Sequence, residues 1–342
     1  MKRTIITLSL AMVIGTASLS SLMIGTAAGA ENLKGAGSTL VAPLESKWAQ
    51  DFQARYGSKV TYGAVGSGGG ISQISARTVD FGASDAPLTS AQQANCHSCV
   101  QIPWALSGVG VAFHISGVTR LNLTGPVVAK IYLGTIKKWN DPQIKALNRG
   151  TKLPATGITP VFRNDPSGTT YAFTDYLSRV SPAFKKKIGN STLVDFRTGS
   201  GAKGSPGVSG VVKSTEGAIG YIGEDYIHQN RLVTAAIQNA AGKFEFPNLS
   251  NIEAAAQAVK KVPANNEIHL VNPPKKAASA YPIATYTWVI VANGAPKKAA
   301  LASWIYYAVT TGQSFGPALF FPALPTAVKN AAIKAVQAFQ KT

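Results

Sequence analysis

The sequence predicts an α/β protein built in two lobes. Strand-like and helix-like patterns alternate along nearly the whole chain, the signature of layered α/β folds. The chain also exceeds the ~250–300 residues at which one hydrophobic core stops growing. Two long apolar strand patterns, near 101–115 and 281–292, are natural crossings between lobes. One lobe, 31–109 plus 286–342, would then hold both ends of the chain, and 110–285 would form the other.

Taken in order, LKGAG is a short strand. TLVAPLESKWAQDFQARYG carries Leu40, Leu44, Trp48 and Phe52 at steps of four, one apolar helical stripe. KVTYGAV is a strand, GSGGG a turn, ISQISART a helix and VDFGASD a strand. QIPWALSGVGVAFHIS is the first long strand. TTYAFTDYLSRV, GVSGVVKSTEG and LSNIEAAAQAVKKV have helical patterns, and GAIGYI is a strand between the last two. YPIATYTWVIVA is the second long strand, followed by helical segments KKAALASWIYYAVTTG and TAVKNAAIKAVQAFQ.

Residues 1–30 run from Lys2 and Arg3 through an apolar stretch to Ala28-Gly29-Ala30, the order of a secretory signal peptide cleaved after Ala30. Ser, Thr and Gly interrupt that stretch too often for a membrane anchor. The expectation is export to the periplasm as a soluble monomer. The formal charge of +18 draws anions, but its 33 Lys and Arg are scattered, with Lys185 to Lys187 the longest run. No nucleic-acid module pattern accompanies them, so no nucleic-acid partner is expected. Cys96 and Cys99 form CHSC. In an exported chain a local disulfide is the default, with free thiols or metal and redox chemistry as alternatives.

Three Gly/Ser/Thr turns deliver the chain into helices: GAGSTL (35–40), GSGGG (66–70) and DPSGTT (165–170). A helix start carries unpaired N–H groups and a partial positive charge, so it favours an anion. One such turn alone is more often an ordinary cap. Three of them, with the planar fork of Arg163 beside the last, point to an anion site. Asp165 could hold that fork in position, or the two could form a surface ion pair without a ligand. Asp85 ends a strand at the open edge where α/β ligands bind, or it caps the helix after Pro87. An ionised carboxylate only accepts hydrogen bonds, so it welcomes an oxyanion that still carries an O–H and repels one that does not.

Catalytic patterns are poorly supported. Neither GxSxG nor a P-loop occurs, and GSGAKG (199–204), although it matches GxGxxG, lacks the surrounding βαβ unit and is read as a flexible loop. His97, His114, His228 and His269 lack metal spacing, and His114 is expected to pack within its strand. No metal or cofactor is expected, and no enzyme activity. A secreted phosphatase remains the rival from another class, without a recognisable base or metal set.

GAGSTLVAPLESKWAQDF, YGAVGSGGGISQI, VDFGASDAPL, IYLGTIKKWNDPQIKALN, RNDPSGTTYAFTDYL and EGAIGYI follow one another at suitable distances. Together they resemble the phosphate-binding protein (PstS) family of high-affinity phosphate ABC transporters, from about Gly35 to the C-terminal helices. The resemblance implies a type II periplasmic binding-protein fold whose two lobes close on inorganic phosphate, with two crossing strands as hinge, serving a membrane permease and ATPase complex. Carried over by position, it implies anion contacts from Thr39, Leu40, Ser67, Asp85, Arg163, Ser167, Gly168 and Thr169. Asp165 matches the acid that steadies the arginine, and Asp85 the acceptor of the ligand's proton. Leu40 stands where the family often has an aromatic, but the contact there is the backbone N–H. The CHSC segment lies outside the matching motifs. A receptor for sulfate, molybdate or phosphonate is the nearer alternative.

Overall fold

The computed structural model describes residues 31–341, so the expected leader lies outside the described residues. The first part of the chain is β1 (Leu33–Gly37), α1 (Ala42–Tyr56), β2 (Val60–Gly63), α2 (Ser67–Ser75), β3 (Phe81–Ser84) and α3 (Ser90–Asn95). β1 pairs in parallel with β2 and with β3, and α1 and α2 make the crossovers. Leu44, Trp48 and Phe52 of α1 are buried as their four-residue spacing requires. The helix begins only after Val41, with Pro43 in its first turn, where a missing N–H costs nothing. Gly57, at φ 75°, ends it in the left-handed region that suits glycine.

β4 (Cys99–Phe113) is the long strand that joins the two parts of the sheet. Beyond it lie β5 (Asn122–Leu123), α4 (Gly125–Tyr132), α5 (Pro142–Leu147), β6 (Thr159–Arg163), α6 (Gly168–Val180) and α7 (Pro182–Lys187). They are followed by β7 (Ser200–Ala202), α8 (Gly204–Ser214), β8 (Ala218–Gly223), α9 (Glu224–Asn230), β9 (Val233–Gln238), β10 (Phe244–Glu245) and α10 (Leu249–Gln257). The chain returns through β11 (Ala284–Ala292) to α11 (Lys298–Val309) and α12 (Thr326–Lys341). The sheet order is β2-β1-β3-β11-β4-β8-β6-β7, with β9 also on β4 and carrying β5 and β10. The α/β class expected from alternation is the class observed.

β4 changes partners midway. Cys99 to Gly108 pair with β11, whereas Val109 to Phe113 pair with β8 and Val111 to Phe113 also with β9. β11 is buried along its whole length between β4 and β3, which explains its unbroken apolar character apart from two threonines. Aromatic clusters fill both sides of this junction. Trp48, Trp104, Trp304, Phe52 and Phe81 pack edge-on or tilted over the first sheet half. Tyr132, Phe173, Phe196 and Tyr221 do the same over the second, with Phe173 and Tyr221 stacked at 4.3 Å.

Several local expectations need correction. α2 starts at Ser67, inside the glycine run, so the turn is itself the first turn of a helix. GSGAKG is not a free loop: it supplies edge strand β7 and the start of α8. His114 lies just past β4 with its side chain 40% exposed, beside Glu216. Cys96 and Cys99 are closed into a disulfide, with Cα atoms 5.5 Å apart. His97 and Ser98 between them both have positive φ, as a primed two-residue turn requires, and the Arg77 guanidinium donates to the carbonyls of Cys96 and His97. No helix of the described residues is long and apolar enough to cross a membrane.

Candidate anion-binding site

Asp85 follows β3 and is 1% exposed. It does not cap the next helix, a task that falls to Thr89 with a reciprocal Gln92 bond. Its carboxylate instead collects hydroxyls. Ser38 Oγ lies 2.6 and 2.7 Å from its two oxygens, and Thr287 Oγ1 donates to Oδ1 at 2.7 Å. Ser67 Oγ stands 3.5 Å from Oδ2. Thr285 Oγ1 donates to the Asp85 main-chain carbonyl at 3.1 Å, so the two threonines of β11 grip one residue. Burial pushes the Asp85 carboxyl above its ordinary range. The Ser38 and Thr287 hydroxyls, the Arg163 charge and Ser67 oppose that rise without cancelling it.

Arg163 is the last residue of β6 and 2% exposed. Its main-chain N–H donates to Tyr221 Oη at 3.0 Å, so the stacked Tyr221 of the core fixes where the side chain departs. Asp165 takes the guanidinium in the bidentate way, Nε to Oδ1 at 2.7 Å and Nη2 to Oδ2. The Gly204 N–H completes Asp165 at 3.0 Å. Burial pulls the Asp165 carboxyl upward, but the Arg163 and Gly204 bonds outweigh it and hold it below the usual range. Two aspartates of one site are thus shifted in opposite directions by their surroundings.

The remaining Arg163 nitrogen, Nη1, donates to Thr39 Oγ1 at 3.1 Å. Thr39 Oγ1 also receives the Ser205 N–H at 3.1 Å and lies 2.9 Å from Ser205 Oγ. Tyr226 Oη donates to the Thr39 carbonyl at 2.9 Å, and Tyr62 Oη to the Ser38 carbonyl at 2.8 Å. The first turn is therefore held from both sheet halves.

The other two turns meet directly. Gly168 N–H donates to Ser67 Oγ at 3.0 Å and Gly68 N–H to the Pro166 carbonyl at 3.1 Å. Glycine is required there by contact: a Cβ on Gly168 would lie 2.6 Å from Asp85 Cβ and N, and one on Gly68 2.4 Å from Pro166 Cβ. Ser167 caps α6, accepting the Thr170 N–H at 3.3 Å. Thr169 Oγ1 is buried without a hydrogen-bond partner. Leu40 N–H donates to Ser38 Oγ at 3.0 Å, and its side chain is fully buried. Thr39, Leu40, Ser67, Asp85, Arg163, Asp165, Ser167, Gly168 and Thr169 thus gather where the three turns converge.

Ser38, Thr287, Gly204, Ser205, Tyr221 and Tyr226 were not anticipated. Two of them left a trace. Ser38 lies within the GAGSTL turn, and Thr285 and Thr287 are alternate polar residues in an apolar strand, which places them on one face. Gly204 closes the GSGAKG stretch and Tyr221 lies in EGAIGYI, but their contacts, like those of Ser205 and Tyr226, act across long sequence separations and show no local signal.

The convergence is equipped to bind an anion. Buried N–H and O–H groups, one oriented guanidinium and one carboxylate suit a small oxyanion. Among the described residues no cluster of three or more His, Cys, Asp or Glu could hold a metal ion.

Residues 25–311 match the model of a PBP superfamily domain. The chain is 37% identical over 298 residues to the phosphate-binding protein PstS of Xylella fastidiosa, covering 86% of this chain and 81% of that one. It is 41% identical over 233 residues to PstS of Haemophilus influenzae, covering 68% and 70%. Among solved structures, the phosphate-binding protein of Stenotrophomonas maltophilia superposes with a TM-score of 0.71 at 19% identity, over 89% of this chain and 93% of that one, which speaks for the fold. With three of its turns built around a buried carboxylate and a buried guanidinium, and with relatives this close over most of its length, the chain belongs to the PstS family of phosphate-binding proteins within the PBP superfamily.

Proposed function

We propose that this chain is an extracytoplasmic substrate-binding protein that takes inorganic phosphate between two lobes and hands it to an ABC permease. The observation that carries the reading is the hydrogen-bond count at Asp85. A carboxylate has about four acceptor positions. Ser38, Thr287 and Ser67 bring three hydroxyl protons, and the Ser67 contact is long at 3.5 Å. The single Ser38 proton is shared between both oxygens, so Oδ2, with only that share and the long Ser67 contact, is short of a donor, and a phosphate ion that keeps a proton supplies one. A fully ionised oxyanion would set lone pair against lone pair in a buried place. Arg163, pre-oriented by Asp165, would take the opposite side of the ion. Thr169 Oγ1, buried and unpartnered, would gain an acceptor.

Residues 31–109 with 286–342 form one proposed lobe and 110–285 the other. The change of β4 partners between Gly108 and Val109 supports that division. Thr39, Ser67 and Asp85 then belong to one lobe and Arg163, Ser167, Gly168 and Thr169 to the other, so a bound ion would favour closure. The names of the relatives favour binding without catalysis. Calorimetry with phosphate, sulfate and molybdate tests the reading. Saturable phosphate binding that sulfate does not displace is expected. Equal competition by sulfate would overturn it.

A further inference from the structure

Away from this convergence, α1 and edge strand β2 leave a cleft of about 340 Å³ between them. Its walls include Ala49 and Val60, and Gln50 and Gln53 stand exposed at its mouth. Glu45 lines it from the inner side, itself only 1% exposed, and Glu45 Oε1 has no hydrogen-bond partner. Burial raises this carboxyl to about 8, with no neighbouring cation to oppose the rise. That is unusual in a chain with 33 basic residues against 15 acidic ones. Tyr62 lines the same cleft, and burial, then the nearby Glu45 charge, push its hydroxyl above its ordinary range; that hydroxyl is engaged with the Ser38 carbonyl at 2.8 Å.

We propose that the α1–β2 cleft is a second binding site, for a small organic ammonium, with Glu45 as counter-ion and the Tyr62 ring as an adjoining wall. A buried carboxyl without a cation lacks a donor, and an ammonium group brings both charge and N–H. Aromatic faces attract the same group, and the Ala and Val walls suit a short alkyl chain. An anion would find no positive partner here. A hard metal ion would need six or more oxygen ligands, and a single carboxylate does not supply them.

n-Butylammonium chloride is the probe, titrated into the full chain by calorimetry, with 1-butanol as the neutral control and a phosphate titration on every variant. Saturable millimolar binding of the amine, absent for the alcohol, is expected. Because Glu45 must give up its proton to bind, affinity should rise severalfold per pH unit between 6 and 8, with proton release into the buffer. Glu45→Gln should weaken the amine at least tenfold and abolish the pH slope. Ala49→Leu, which fills the cleft, should do the same while phosphate binding stays intact. Equal binding of butanol, or amine binding that survives either substitution, would overturn the site. Since phosphate is measured alongside, loss of the amine site alone leaves the proposed function untouched, and loss of phosphate binding alone leaves this site standing.

Discussion

Gly168→Ala tests whether the two glycine turns close on the same ion. The added Cβ would lie 2.6 Å from Asp85 Cβ and N and 2.7 Å from Asp85 C. Carbon atoms rest at about 3.5–4.0 Å, so the α6 turn must retreat by about 1 Å. Such a shift takes the Gly168 N–H to Ser67 Oγ bond, now 3.0 Å, beyond bonding distance and stretches the Gly68 to Pro166 bond of 3.1 Å. Each lost bond is worth about 1 kcal/mol, and overpacking adds about 1–3 kcal/mol. Some of this is relieved by backbone movement, leaving about 2–4 kcal/mol, or about 30- to 700-fold in Kd. Phosphate calorimetry reads the affinity, and thermal melts without phosphate read the fold. The melting temperature should change little, because the clash lies between turns of two sheet halves and not within either aromatic core. Gly210→Ala is the control: no atom lies within 4 Å of its added Cβ, so affinity should stay at the parent value. A Gly168→Ala protein that binds phosphate within twofold of the parent would refute the idea that these turns meet around the ligand.

Three further outcomes are expected. Asp85→Asn replaces one acceptor oxygen with a donor, so discrimination between phosphate and sulfate should shrink in competition calorimetry; a variant that rejects sulfate as firmly as the parent would remove the proton-reading role. Arg163→Ala should cost at least about 2 kcal/mol of phosphate affinity, since it removes the fork and leaves Asp165 unpaired; unchanged affinity would exclude the assignment. Glu45, raised by burial to about 8, favours the folded state fully only below its ordinary carboxyl range. Stability should therefore decline as pH rises from about 4.5 to 8, by several kcal/mol at about 1.4 per pKa unit, and denaturant melts of Glu45→Gln should show a flatter profile.

What the sequence disclosed, and what it hid, follows the range over which each signal acts. The α1 stripe of Leu44, Trp48 and Phe52 is visible because helical periodicity lies within a few residues, and the structure buries all three. The glycine turns are visible for the same reason. The true start of α2 was hidden because glycine disfavours a helix interior, and tertiary contact overrode that local preference. Gly70 leaves no room for a side chain: a Cβ there would stand 2.5 Å from the Ala36 carbonyl and Gly37 Cα. GSGAKG departs from its local pattern for the same reason. Its strand exists only because β6 lies beside it, with Val161 opposite Ser200 and Arg163 opposite Ala202.

The chemistry of the two aspartates shows why site residues can be listed from a motif while their charge states cannot. Asp85 and Asp165 both sit in short polar turns, and nothing local sets them apart. Asp165 owes its lowered position largely to Arg163, two residues away, and so was legible. Asp85 owes its environment to Ser38 and Thr287, which lie 47 and 202 residues from it. Only the return of the chain through β11, beside β3 and β4, brings Thr287 to that carboxylate. The strand inserted between β3 and β4 therefore also sets how strongly Asp85 holds its remaining acceptor position open. It follows that Thr287→Val should free a second acceptor on Asp85 and raise its carboxyl further. Phosphate selectivity should then shift without loss of the Arg163 contact, an outcome that competition calorimetry can separate from the uniform weakening expected of Arg163→Ala.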